Sequence, residues 1–230
     1  MASPRVEKKK AATRERILRA AVQIFSEQGI ENAKLADVAE MLGMTAPALY
    51  YYFPSKEELV FACCAETLDE MIAGIREAAA AAGRDPVERL RAIITAQMMF
   101  ELKVAAVTPL LNGVLFGPQY LVNLLQEPQR ERIVTQHRTL LNLYRSAIND
   151  GVAAGLFEVA EPTIATFNIL AMVQYSSIWF RKSGRRSAQS IAQDQIGFAL
   201  RMLSARAEEA HSAPAKRPTA ARLAGVGRGR

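Results

Sequence analysis

Three consecutive tyrosines, Tyr50, Tyr51 and Tyr52, carry the most conspicuous chemistry in the chain. Neighbours on a helix lie ~100° apart, so the three rings cannot share one buried face. At least one ring is expected inside, and the others face outward with their phenol hydroxyls free to donate. Thr45 stands where a hydroxyl caps a helix start, Pro47 falls in the first turn, and Lys56 follows shortly after. The remaining reactive groups do not assemble into a catalytic set. There are two histidines, His137 and His211, and two cysteines, Cys63 and Cys64. Adjacent cysteines on a helix point apart, so neither a disulfide framework nor metal-ligand spacing is present. No glycine-rich phosphate loop and no nucleophile–base–orienter set is visible. The sequence reading is therefore not an enzyme, with no cofactor and no metal site.

The elements that position these groups are helical, because apolar residues recur at spacings of three and four. Helix 1 is expected from about Ala11 to Gln28, stopping at Gly29, and a short helix from about Leu35 to Leu42. Gly43 ends that helix, Thr45 caps a third, and Pro54 stops it. Ser55-Lys-Glu-Glu58 is a capping box that opens a long fourth helix to about Ala82. Asp85-Pro-Val-Glu88 starts a fifth, to about Ala106. Glu127-Pro128 opens a helix through Val152, whose stripe is Ile133, His137, Leu140, Leu141, Tyr144 and Ile148. Pro162–Phe180 and Ala188–Arg206 are the last two. The expected class is all-α: a three-helix N-terminal unit with its arm (residues 1–55), a larger helical body (56–207), and a disordered basic tail (208–230).

The net charge of +6 is unevenly placed. Residues 1–19 carry seven Lys/Arg against two Glu, and residues 210–230 carry five Lys/Arg and no acid. Basic ends suit a polyanionic partner, though solubilising tails read the same way. No secretory signal is visible, and the free cysteines suit a reducing cytoplasm. The nineteen uncharged residues between Glu161 and Arg181 approach a membrane-spanning length. Thr163, Thr166, Asn168, Gln174, Ser176 and Ser177 make them a better interior helix than a lipid-facing one.

Two short helices with a glycine in the turn form the helix-turn-helix pattern. Ala39 is small where the helices cross, and Val38, Leu42, Met44 and Leu49 are expected to form one small core. The stretch Arg14 to Leu59, about a fifth of the chain, resembles the TetR family of bacterial transcriptional regulators. The residues that carry the likeness are Phe25, Gly29, Asp37-Val-Ala39, Gly43, Leu49-Tyr-Tyr-Tyr-Phe53 and Ser55-Lys-Glu-Glu-Leu59. The resemblance implies that the third helix enters the major groove of an operator. It implies DNA contacts from Thr45, Ala46, Pro47, Tyr50, Tyr51, Tyr52 and Lys56. A helix N-terminus favours phosphate, tyrosine donates to it, and lysine pairs with its charge. Lys8, Lys9, Lys10 and Arg14 are candidates for further backbone or minor-groove contacts.

Two positions depart from the family pattern. Lys34 stands where threonine usually caps the second helix; the cap is expected to be lost, at about 1 kcal/mol, with charge replacing its phosphate contact. Thr45-Ala-Pro47 replaces the usual Ser-Lys-Gly, so direct base readout is thin and binding should be salt-sensitive.

The resemblance further implies a homodimer through the last two helices on a pseudo-palindromic double-stranded operator, and a ligand pocket in the body. Phe100, Asn112, Phe116, Tyr120, His137, Tyr144, Asn168, Tyr175 and Trp179 are the pocket candidates; plain core residues have the same pattern. Ser176 to Leu203 resembles a TetR subgroup of fatty acid and steroid catabolism regulators, some of which answer to acyl-CoA. An acyl-CoA-type effector is thus one expectation, with Arg181, Lys182, Arg185 and Arg186 either meeting its phosphates or forming a solvated loop. The chain reads as a cytoplasmic, ligand-responsive DNA-binding repressor. The alternative is a DNA-binding regulator without a small-molecule ligand, controlled by abundance or a protein partner.

Overall fold

Eight helices account for most of the residues described, 3–103, 124–181 and 183–204, in the computed structural model. They are α1 (Pro4–Gln28), α2 (Leu35–Met41), α3 (Ala46–Tyr52), α4 (Lys56–Ala81), α5 (Pro86–Lys103), α6 (Glu127–Ala153), α7 (Pro162–Trp179) and α8 (Ala188–Ser204). The all-α expectation holds. The basic tail, 208–230, lies outside the described residues.

α1 begins at Pro4 rather than near Ala11. Pro4 is pre-set for a first helical turn, Glu7 complements the positive end of the dipole, and arginine and lysine are good helix formers. Lys8, Lys9 and Lys10 therefore project from a helix, not from a loose arm. Ile17, Ala21, Ile24 and Phe25 of α1 meet Leu35, Val38 and Ala39 of α2 and Leu49 of α3, all buried. Leu42 and Met44, expected in the same core, are only half-buried against it.

α4 joins this head to the body. The Ser55 hydroxyl accepts the Glu58 N–H at 3.2 Å and fixes its start. Arg14 pairs with Glu66, and Cys63 Sγ donates to the Leu18 carbonyl at 3.9 Å, so α4 is held to α1 at two points about one turn apart. Burial pushes both the Cys63 and Cys64 thiols well above their ordinary range. In the body α4, α5 and α6 pack on one another, α8 packs on α5, and α7 on α6.

The inner stripe of α6 is Ile133, Gln136, Leu140, Tyr144, Ala147 and Ile148. Gln136, not His137, takes the inward position, because its amide finds partners there. Nε2 donates to the Ala65 carbonyl at 2.9 Å and to Asp69 Oδ1 at 2.6 Å. His137 and Leu141 are half-buried at the edge. No helix among the described residues is long and apolar enough to cross a membrane.

Candidate nucleic-acid interface

The turn between α2 and α3 is built by its own backbone. Gly43 adopts φ +62°, a conformation costly for other residues. Its N–H donates to the Glu40 carbonyl at 3.0 Å, and the Met44 N–H to the Ala39 carbonyl at 2.9 Å. Thr45 Oγ1 then accepts the Ala48 N–H at 3.4 Å and starts α3. Leu49 is fully buried and Phe53 nearly so, which pins the helix by one side. Everything else on α3 follows from that. Ala46, Pro47, Tyr50 and Tyr51 lie on the exposed side, Tyr51 being 70% exposed, while Tyr52 is half-buried. The tyrosine question is thus decided by Leu49: two rings face out, and the third turns inward beside Phe53.

The outward rings are not isolated. Tyr51 meets the edge of Tyr52 at 5.4 Å, and the Lys10 ammonium lies 5.5 Å from the Tyr51 ring centre. The extended α1 therefore puts the Lys10 cation next to the exposed Tyr51.

Lys34 sits at the N-cap of α2 without a side-chain cap, as expected of a side chain with no acceptor. The loss is partly made good by Asp37, whose Oδ2 accepts the Lys34 N–H at 3.0 Å. Lys34 itself is exposed.

Lys56 is engaged within the chain. The resemblance implied a phosphate contact, but its ammonium donates to three backbone carbonyls: Ile30 at 2.8 Å, Glu31 at 3.1 Å and Ala33 at 3.1 Å. An ammonium has three donors. All are spent inside the head.

The pocket candidates separate into three groups. Asn112, Phe116 and Tyr120 lie outside the described residues. Asn168, Tyr175 and Trp179 lie on the exposed side of α7, not in the interior, Tyr175 being 62% exposed. The uncharged helix buries Ala165, Ile169, Leu170 and Val173 instead, which turns those three outward. Asn168 and Tyr175 share an open groove of about 420 Å³ with half-buried His137, whose pKa burial lowers. Phe100 is half-buried against the core, and Tyr144 is wholly enclosed.

Tyr144 reveals a polar chain that the sequence reading missed. Its hydroxyl donates to Gln97 Oε1 at 2.7 Å, and Gln97 Nε2 donates to Glu101 Oε1 at 2.7 Å. Glu101 is 5% exposed, and its other oxygen, Oε2, has no hydrogen-bond partner among the described residues. Burial raises its pKa to about 7. The signal was available: Gln97 and Glu101 are four apart on an α5 stripe that is otherwise Leu90, Ile93, Ile94, Met98 and Leu102.

The basic loop after α7 is partly spoken for. Arg181 Nη1 donates to the carbonyls of Ile178 and Phe180, each at 3.0 Å, and Arg186 pairs with Asp194. Arg185 is exposed, and Lys182 lies outside the described residues.

A helix-turn-helix whose outer helix face carries exposed tyrosines, with lysines beside it on α1 and at the start of α2, mounted through one continuous helix on an all-helical body, is the build of a DNA-binding transcriptional regulator. The chain belongs to the TetR family. Residues 17–63 match "Bacterial regulatory proteins, tetR family", and residues 83–203 match "Tetracyclin repressor-like, C-terminal domain". It is similar to the HTH-type transcriptional repressor KstR2 of Mycobacterium tuberculosis (strain CDC 1551 / Oshkosh), with 24% identity over 185 residues, 80% of this chain and 89% of that one. The TetR family regulator PfmR from Thermus thermophilus has a crystal structure with a TM-score of 0.73 at 25% identity, covering 82% of this chain and 99% of that one. AibR, crystallised with isovaleryl coenzyme A and operator DNA, has a TM-score of 0.70 at 23% identity, covering 80% and 96%. The family is one of transcriptional regulators, not enzymes.

Proposed function

We propose that the protein is a cytoplasmic homodimeric repressor, released from a pseudo-palindromic operator when a small molecule binds its helical body. α3 supplies the reading surface through Tyr50 and Tyr51, the exposed turn residues Thr45, Ala46 and Pro47, and Lys34 at the start of α2. With no side-chain donor at Ala46, affinity rests on phosphate contacts and falls with salt. The dimer forms through α7 and α8, where Ile164, Phe167, Ile178, Trp179 and Phe198 are all exposed in the single chain. A contiguous apolar face of this kind marks an interaction surface.

The observation that carries the ligand-responsive part is Glu101 Oε2, buried without a hydrogen-bond partner among the described residues. Such a carboxyl oxygen is costly, and an incoming donor group removes that cost. An effector with an apolar arm and a polar group fits a core that ends in such an atom. An acyl-CoA thioester is the candidate class, by analogy with AibR. Arg186 is paired with Asp194, so it adds less free charge to the loop than its composition suggests.

Thermal unfolding against a panel of acyl-CoAs, free acids and aromatic effectors tests this. A ligand at ~100 times its dissociation constant adds ~2.7 kcal/mol. The expected result is a shift with one class, followed by release of labelled operator at the same concentration. No shift across the panel removes the acyl-CoA proposal and favours control by abundance or a protein partner. A shift without operator release removes the coupling.

A further inference from the structure

Lys56 is an odd residue for its place. It is the first residue of α4, where the helix dipole is positive and a cation is disfavoured. Something must compensate. The structure supplies it from within the chain: the carbonyls of Ile30, Glu31 and Ala33 converge on the ammonium. These three belong to the turn between α1 and α2, outside the hydrogen-bond ladder of either helix. The turn also lies just past the negative end of α1, whose last turn contains no basic residue. One ammonium therefore ties the turn together, and the three carbonyls offset its unfavourable place at a helix start.

The consequence is mechanical. Ala33 is buried, and Lys34 and α2 follow it directly, so the turn decides where α2 and α3 sit against α4. Two residues further on, Glu58 Oε1 accepts Gln129 Nε2 of α6 at 2.9 Å. The first turn of α4 thus grips the head on one side and the body on the other.

We propose that Lys56 is a positioning residue for DNA binding, acting by locking the α1–α2 turn to the start of α4 and not by touching phosphate. The two roles predict different behaviour. A phosphate contact is electrostatic and releases counterions, so its loss flattens the salt dependence of binding by about 0.9 per subunit in log–log slope. A clamp that only orients the head leaves the slope as it was.

The test compares full-length Lys56→Met and Lys56→Arg with the wild type. Operator affinity is measured by anisotropy across a salt series, with amide hydrogen exchange at residues 29–35 and dimer mass measured alongside. The expected result for both variants is binding weaker by about tenfold or more, from loss of charge-assisted hydrogen bonds. The salt slope stays unchanged, and exchange is faster in 29–35 while the body is unaffected. Arginine keeps the charge but, being a flat fork, cannot aim three donors into one turn. A reduced slope in the Met variant, with affinity restored by Arg, overturns the proposal in favour of a phosphate contact. A lower Tm with unchanged operator affinity also overturns it, because Lys56 is then a stabilising residue only. Should the Met variant fail to fold, the Arg variant alone decides, since restored affinity and lost affinity point opposite ways.

Discussion

The ammonium of Lys10 on α1 lies 5.5 Å from the ring centre of Tyr51 on α3. The contact exists because α1 runs back to Pro4, and it places a cation against the most exposed aromatic ring of the head. Tyr51→Ala should weaken operator binding by about tenfold, the scale of one lost phosphate or base contact. Lys10→Ala should cost about two- to fivefold, as an exposed cation–π contact does. Both variants should remain dimeric with unchanged Tm. Anisotropy at fixed salt reads the loss of affinity and sedimentation the dimer; wild-type affinity in Tyr51→Ala would remove α3 as the reading helix.

Glu101 makes stability depend on pH. Burial raises its pKa from an ordinary 4.5 to about 7. The folded value lies above the unfolded one, so the neutral acid's contribution is complete below about pH 4.5 and is lost as pH rises through about 7. Glu101→Gln keeps the acceptor for Gln97 and cannot ionise. It should match the wild type near pH 5 and exceed it at pH 8 by on the order of 2–3 kcal/mol. Denaturant titrations at the two pH values check this; equal pH profiles would show that Glu101 stays neutral or finds a partner.

Tyr144→Phe removes the donor at the head of the same chain. Gln97 Oε1 would then be buried unpaired, for about 1–3 kcal/mol of lost stability. The variant should also respond to the effector with altered affinity if the Gln97–Glu101 chain meets the ligand. Isothermal titration with the first positive compound reads that.

Gly151 packs under the Phe157 ring so closely that an added Cβ would lie 2.1 Å from Cδ2. Gly→Ala inside a helix normally helps, by roughly 0.5–1 kcal/mol. Here the sign should reverse, at about 1–3 kcal/mol of destabilisation from overpacking. Thermal melts of Gly151→Ala decide between the two signs.

Phe167→Glu puts a charge on the exposed face of α7. The single chain should keep its helicity, since the position is exposed there, while the dimer should dissociate to monomer at micromolar concentration. Operator binding should fall with it. An unchanged sedimentation coefficient would move the dimer interface elsewhere.

The head was legible because its signals are local. A glycine turn, a threonine cap and a serine capping box act within four residues, so Gly43, Thr45 and Ser55 state their roles in the sequence. α1 was read short because its first turns have no apolar period. They are helical through Pro4, Glu7 and propensity alone, with every side chain solvated. Which way Asn168, Tyr175 and Trp179 face was not legible, because α7 is uncharged all round, and a helix without a polar face does not announce which side is buried.

The amino-acid sequence by itself determined the all-α class, the helix-turn-helix and the family, since periodicity, caps and a short motif are properties of neighbours along the chain. Which tyrosine turns inward, where the Lys56 ammonium goes and which side chains join Tyr144 to Glu101 were decided by the tertiary structure. Ile30 and Lys56 are 26 positions apart, and Gln97 and Tyr144 are 47 apart. Hydrogen bonds and burial depend on distance in space, and no spacing rule reaches that far.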